Sequence, residues 1–462
     1  MQRKLLEQLI SWKSSQKRLP LLLEGARQVG KTYLLKTLFG ETYFQKTVYV
    51  NFEKADHELI SLFEGNIEPH RIINYLSLKF NIPINQSDTL IIFDEIQEVP
   101  RALTSLKYFA EDAPDYFIVA TGSLLGIAIH SGISFPVGKV NRLRLYPMDF
   151  EEFCWANNMQ NQTIEAHNAI KQLQKPLITS GFKDLFQQYL AVGGMPAVVL
   201  DWIENKNLVT VEMILKNILA DYKDDFSKHT SNAESRKIGN LWQSVPQQYA
   251  KENHKFFYKT IESSARGRDY SFALDWLVDA GLIYKTNLIA HGDKLPLSFY
   301  SNNSDFKIYA LDIGILRQLA CLPSSVVVGD HNIWSHFGGV FAENYVLQQM
   351  RSLGYEETYY WASNTDNPNQ PKGKSELDFI ISNENQIFPI EVKSGDQVKG
   401  QSLRVFRKKY SSKLAIRFSL KDLEYNEGLL NIPLYYSFLL TDLIQQKEHL
   451  TYSNFAKESF NK

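Results

Sequence analysis

The run Leu21-Leu22-Leu23-Glu24 followed by Gly25-Ala26-Arg27-Gln28-Val29-Gly30-Lys31-Thr32 constrains this chain more than any other feature. Three consecutive leucines make a short strand that needs burial, and Tyr33-Leu34-Leu35-Lys36-Thr37-Leu38 opens a helix. Between them, glycines at 25 and 30 let successive backbone N–H groups turn inward around an anion where a Cβ would obstruct them. Strand, glycine-rich turn and helix in this order form a phosphate-binding loop. Lys31 reaches the β- and γ-phosphates, and Gly25, Ala26, Arg27, Gln28, Val29, Gly30, Lys31, Thr32 and Tyr33 are the candidate nucleotide contacts.

Further along, Leu90-Ile91-Ile92-Phe93 runs directly into Asp94-Glu95. Such an apolar run marks a strand buried on both faces of a parallel sheet, and ligands of these sheets sit at the strands' carboxyl ends. Thr32 can place its hydroxyl on Mg²⁺, Asp94 can hold that ion through its water shell, and Glu95 can polarise the attacking water. The two motifs together imply ATP and Mg²⁺ as cofactors and nucleotide hydrolysis as the reaction.

A chain of 462 residues exceeds what one core organises, so about three domains are expected. Its net charge of -1 excludes a globally basic nucleic-acid coat, and any contact with DNA has to come from local patches. Cys154 and Cys321, far apart in the chain, exclude a zinc cluster and a disulfide framework and suit a reducing compartment. The amino terminus lacks a long apolar core and no later stretch reaches membrane-spanning length, so a cytoplasmic protein without a membrane partner is expected.

Up to residue 150 strand and helix patterns alternate. Candidate strands at Pro20 to Glu24, Thr47 to Phe52, Thr89 to Asp94, Tyr116 to Thr121 and Val140 to Tyr146 imply a parallel sheet with helices on both faces. Thr121-Gly122-Ser123 closes the fourth of them. A hydroxyl there can touch the γ-phosphate or the lytic water; a plain turn is the alternative, and the place after the acidic strand favours a sensor at Thr121. Residues 155–235 read as a helical lid, in which Gly193-Gly194 and Pro196 break helix twice and predict a hinge or a tight loop. In residues 236–322, the apolar stripe Ala273 to Leu277, stopped at Gly281 and continued as a strand, has the form of a winged helix, which serves DNA binding or protein packing.

The loop, Phe93-Asp94-Glu95-Ile96-Gln97, Ala120-Thr121-Gly122-Ser123 and Leu145-Tyr146-Pro147-Met148-Asp149-Phe150-Glu151-Glu152-Phe153 resemble the AAA-superfamily ATPases of bacteria and archaea that carry a characteristic C-terminal domain of unknown function. Gly193-Gly194-Met195-Pro196, Lys307-Ile308-Tyr309-Ala310-Leu311-Asp312-Ile313-Gly314 and Phe341-Ala342-Glu343-Asn344 extend the resemblance over nearly the whole chain. Relatives show Gly-Arg before the fifth strand where this chain has Gly138-Lys139, which leaves the identity of any arginine finger and the oligomeric state open.

A second constellation lies in the final third. Glu376-Leu377-Asp378-Phe379-Ile380-Ile381-Ser382 forms a strand that turns through Asn383-Glu384-Asn385 into Gln386-Ile387-Phe388-Pro389-Ile390-Glu391-Val392-Lys393. Glu391 and Lys393, two apart, share a face on which Asp378 of the neighbouring strand can meet them, and two carboxylates with a lysine make a Mg²⁺ site that can steer or deprotonate water. This spacing resembles the core of the restriction-endonuclease-like superfamily, and the resemblance implies a helical acid that Glu343 supplies, as in Holliday-junction resolvases. Residues 393 to 417 add Lys393, Lys399, Arg404, Arg407, Lys408, Lys409, Lys413 and Arg417 against the single acid Asp396, which is what phosphate-backbone contact requires.

The expected fold is therefore α/β: a P-loop parallel sheet with helices on both faces (1–154), a helical lid (155–235), a winged-helix-like middle (236–322) and a restriction-endonuclease-like α/β domain (323–462). Two functions follow. In one, ATP hydrolysis licenses a DNA-directed, metal-dependent nuclease with Glu343, Asp378, Glu391 and Lys393 as its catalytic set. In the other, the chain is a nucleotide-gated switch whose C-terminal domain only binds a protein partner or nucleic acid.

Overall fold

The computed structural model describes residues 1–123, 136–228, 230–249, 255–329, 338–363, 375–395 and 400–451. They form two compact units, Met1–Pro147 with Asp275–Leu282, and Met148–Leu274 with Ile283–Lys462.

In the first unit the apolar runs become β1 (Leu21–Gly25), β2 (Lys46–Asn51), β3 (Thr89–Asp94), β4 (Phe117–Ser123) and β5 (Asn141–Arg144). Among the described residues they make one parallel sheet in the order β2-β3-β4-β1-β5. Every residue of β1 and β3 is buried, as strands covered on both faces must be. On one face Val50, Ile91 and Phe93 pack with Phe63, Ile72 and Phe109 of the helices His57–Glu64, Pro69–Phe80 and Pro100–Asp112. Elsewhere Trp12, Phe39, Phe44 and Phe117 interlock, three of the four pairs edge to face and Trp12–Phe39 tilted, with ring centroids 5.0 to 6.3 Å apart. The edge strand β5 is shorter than the expected Val140 to Tyr146, because its residues are largely exposed and gain little from pairing.

The sheet order matters for function. With β4 between β1 and β3, the loop after β1 and the acids after β3 lie on either side of the end of β4.

The second unit opens with the helices Phe150–Ala156, Gln160–Lys171, Ser180–Val192, Pro196–Asn205, Leu208–Lys228 and Asn232–Tyr249. Asp149 starts the first with a capping box: its carboxylate accepts the Glu152 N–H at 2.9 Å, and Glu152 accepts the Asp149 N–H at 3.3 Å. The Gly193-Gly194 break is a tight loop rather than a hinge. Asp312, fully buried, accepts the Gly194 N–H at 2.6 Å, the Ile315 N–H at 3.0 Å and the Gln348 amide at 2.9 Å. The Gly194 carbonyl in turn accepts the Met148 N–H at 2.7 Å, and a Cβ on Gly194 would overlap the Met148 carbonyl oxygen.

The strands of this unit are β6 (Ile283–Ile289), β7 (Ser301–Ala310), β8 (Tyr359–Ala362), β9 (Glu376–Asn383), β10 (Gln386–Val392), β11 (Ala415–Ser419), β12 (Glu424–Asn426) and β13 (Leu429–Pro433). Among the described residues they form one mixed sheet, β12-β13-β11-β10-β9-β8-β6-β7. The strand expected after Gly281 is β6; rather than standing as a separate wing, it pairs antiparallel with β7 and parallel with β8. The early helices and the C-terminal residues share one core, in which Phe150, Phe186, Tyr189, Tyr345 and Phe438 meet at centroid distances from 4.9 to 6.5 Å. No helix of the described residues is long and apolar enough to cross a membrane.

Two ion pairs of one histidine tie segments of this unit that are far apart in sequence. His167 meets Asp442 at 2.5 Å and Glu151 at 2.8 Å. Burial alone would lower its pKa, but the hydrogen bonds and charges of Asp442 and Glu151 outweigh burial and raise it to about 9.

Two predictions follow from this packing. Gly194→Ala should destabilise the protein by more than about 3 kcal/mol, since the Met148 backbone it would meet is held by its own hydrogen bond to Gly194 and cannot yield, whereas Gly239→Ala, with 3.9 Å to its nearest neighbour inside a helix, should be neutral or stabilising. Denaturant titration that finds the two equal contradicts the locked loop. For His167 the folded pKa lies above the unfolded 6.5, so its contribution is complete below pH 6.5 and fades as pH rises through about 9. His167→Asn should therefore cost up to about 3 kcal/mol at pH 6 and little at pH 9.5, and an equal cost at both pH values contradicts the clamp.

Candidate functional site

The loop after β1 is built as an anion cradle. Gly30 has φ 93° and Gln28 φ 65°, both left-handed, which turns the intervening N–H groups to one side. Gly25 has a further reason that its sequence context hides: a Cβ there would lie 2.5 Å from the Leu145 carbonyl, where the chain leaving β5 passes β1. Arg3 braces the loop from behind by donating to the Val29 carbonyl at 2.8 Å and the Tyr146 carbonyl at 2.6 Å.

Lys31 is 6% exposed, and its ammonium donates to the carbonyls of Gly25 and Ala26, both at 2.9 Å. Burial lowers its pKa to about 8, against the opposing pull of Glu95 and Asp94. Thr32 donates its hydroxyl to Asp94 Oδ2 at 2.9 Å, and Tyr49 donates to the same oxygen at 2.6 Å. Burial and that bond push the Tyr49 hydroxyl up to about 12, so it stays a donor at neutral pH. The other Asp94 oxygen accepts the Glu95 N–H at 3.2 Å. Glu95 itself sits at φ 53°, a conformation unusual outside glycine, and accepts from Gln97 at 2.6 Å. Thr121 lies fully buried at the end of β4, and its hydroxyl has no hydrogen-bond partner among the described residues.

These residues fit Mg²⁺ and ATP. Lys31 would hold the β- and γ-phosphates, Thr32 and Asp94 are already in contact at the place where they would hold the metal, and Thr121 has a hydroxyl to give. The bound ion would supply neutralising charge to the phosphates. Sequence reasoning named Lys31, Thr32, Asp94, Glu95 and Thr121 but missed Arg3, Tyr49 and Gln97. The register of β2 beside β3, Asn51 opposite Asp94, is what brings Tyr49 within reach. At the position of the questioned arginine, Lys139 pairs with Glu111 of its own chain at 3.1 Å, and Arg142 approaches Glu24 at 3.8 Å.

The second constellation draws on the helix Gly338–Ser352 and on β7, β9, β10 and β11. Asp378 accepts the Val392 N–H at 2.7 Å. Burial and the Glu343 carboxylate raise its pKa to about 7, with Lys307 and Lys393 acting against them. Glu391, 1% exposed, meets Lys393 at 3.3 Å and Arg417 at 3.4 Å. The structure thus brings Glu343, Asp378, Glu391 and Lys393 into one neighbourhood. It adds a residue that the reading missed: Lys307, 1% exposed, pairs with Glu376 at 2.5 Å and Glu343 at 3.8 Å. Among the described residues no group of three or more His, Cys, Asp or Glu side chains is arranged to hold a metal ion.

Of the basic run after β10, Lys399 and Asp396 lie outside the described residues. The helix Gln401–Tyr410 buries Leu403 and Phe406 and leaves Arg404, Lys408 and Lys409 exposed, with Lys413 just beyond. Arg407 donates to the Glu427 carbonyl at the surface, and Arg417 is committed inward, to Glu391.

Comparison with known proteins agrees with the first unit. Residues 17–154 match the AAA domain family, so the chain carries an AAA-type P-loop domain. Residues 183–325 and 338–436 match two domains of unknown function, DUF8612 and DUF4143. An uncharacterized protein of Methanocaldococcus jannaschii is 24% identical over 445 residues, 93% of this chain and 85% of that one. An uncharacterized protein of Haemophilus influenzae is 23% identical over 60% of this chain and 71% of its own. Among solved structures, a Walker-type ATPase of Pyrococcus abyssi matches 69% of this chain and 95% of its own at 15% identity, with a TM-score of 0.44.

The buried ammonium generates a pH prediction. Bound phosphates favour charged Lys31, so nucleotide affinity should be level below pH 8 and fall about tenfold per unit above it as the free protein loses that proton. Titration of a fluorescent nucleotide between pH 7 and 9.5 measures the slope. A flat profile, or the same slope in Lys31→Ala, contradicts the assignment.

Proposed function

We propose that the chain is an ATPase whose nucleotide state gates a nucleic-acid-binding C-terminal part. The observation that carries the first half is the 2.9 Å contact between Thr32 and Asp94 beside the buried Lys31, which assembles metal and phosphate ligands in one place. Glu95, next in the chain, polarises the attacking water, and Thr121 reports the γ-phosphate. The exposed Arg404, Lys408, Lys409 and Lys413 support the second half, since clustered cations neutralise backbone phosphates without regard to base sequence.

Lys139 is turned to Glu111 of its own chain, and lysine lacks the planar fork with which arginine clamps phosphate. Slow basal turnover and weak self-association are therefore expected. A second reading, in which the C-terminal part cuts DNA, is favoured by the proximity of Glu343, Asp378, Glu391 and Lys393.

The test is ATP turnover with and without duplex DNA, with the DNA followed on a gel. Turnover should be slow alone and rise with DNA that stays uncut, and Glu95→Gln should bind ATP yet lose at least about 100-fold in rate. Wild-type turnover in Glu95→Gln overturns the catalytic assignment; turnover indifferent to DNA overturns the nucleic-acid half. Mg²⁺-dependent cutting lost in Lys393→Ala favours the second reading.

A further inference from the structure

An endonuclease-like set of acids ordinarily gathers around a divalent cation. Here a lysine already stands among them. Lys307 lies on β7 with its side chain 1% exposed, and its ammonium is 2.5 Å from Glu376 and 3.8 Å from Glu343. Tyr309, two residues on along the strand and so on the same face, donates its hydroxyl to that Glu343 oxygen at 3.1 Å. On β9, Asp378 follows Glu376 by the same two-residue step, and its charge acts on the Lys307 ammonium together with those of Glu343 and Glu376. Glu391 is neutralised separately, between Lys393 at 3.3 Å and Arg417 at 3.4 Å.

The donor set therefore does not fit a metal. A buried ammonium persists only where carboxylates surround it, and the same carboxylates cannot also face a dication without setting two positive charges at contact distance. We propose that Lys307 holds the seat a divalent cation would take among Glu343, Glu376 and Asp378, which leaves the constellation a metal-free charge cluster that does not cleave phosphodiesters. Lys393 and Arg417 are then partners of Glu391 rather than catalysts. The inference rests on this cluster alone and stands whether or not residues 25–33 bind ATP.

The experiment is calorimetric titration of Mn²⁺ and of Mg²⁺ into the full chain carrying Lys31→Ala, so that no nucleotide-dependent metal contributes. That protein should show no divalent site in its C-terminal part. Adding Lys307→Gln should open one, with affinity at least about tenfold above the parent, a ratio smaller than the loss of one contact charge would give. Adding Glu343→Gln to that variant should remove the new site again. If Lys307→Gln does not fold without metal, its recovery by Mn²⁺ in a thermal melt reads the same gain, and the Lys31→Ala parent remains a test by itself. Tight divalent binding by the parent that Asp378→Asn abolishes overturns the proposal, and so does a Lys307→Gln protein that binds no ion.

Discussion

Everything at the nucleotide site depends on two strands that cannot move. β1 and β3 are buried along their whole length on both faces of a parallel sheet, so a slip of one residue would drive Glu24 or Asp94 into the core and leucine or phenylalanine into the site. Their carboxyl ends are fixed in consequence, and β4 between them sets their separation. Thr32 then rests on Asp94, and Lys31 is held on the loop carbonyls.

The second unit depends on a different device, a buried carboxylate that backbone and amide N–H groups hold. Asp312 is satisfied by backbone N–H groups at Gly194 and Ile315 and by the Gln348 amide, which pins segments far apart in sequence to one point. The glycines at 193 and 194 are there so that backbone can approach that closely. The aromatic cluster of Phe150, Tyr189, Tyr345 and Phe438 then packs around the Met148 segment as one core.

Much of the first unit was legible because its chemistry is written in consecutive residues. A strand followed by Gly25 to Thr32, or by Asp94 and Glu95, states both position and role locally. Tyr49 and Gln97 were not legible, because their reach to Asp94 and Glu95 depends on cross-strand register and on the left-handed turn at Glu95. The acids of the C-terminal hairpin could be named from alternation along β9 and β10. Lys307 could not, since its partners come from a helix and from a strand, β9, that is not its sheet neighbour; a lysine and a tyrosine two apart in the apolar end Phe306–Ala310 of a strand were the available signal.

The central claim is that nucleotide state controls a grip on nucleic acid that involves no cutting. It is tested most directly by the affinity of the Glu95→Gln protein for a fluorescent DNA duplex in Mg²⁺, with ATP, with ADP and with no nucleotide, reading DNA length in the same samples. The account predicts affinities that differ between ATP and ADP, weakening with salt and with Lys408→Ala plus Lys409→Ala, and DNA of unchanged length. Equal affinity in all three nucleotide states, or shortened DNA, would contradict it.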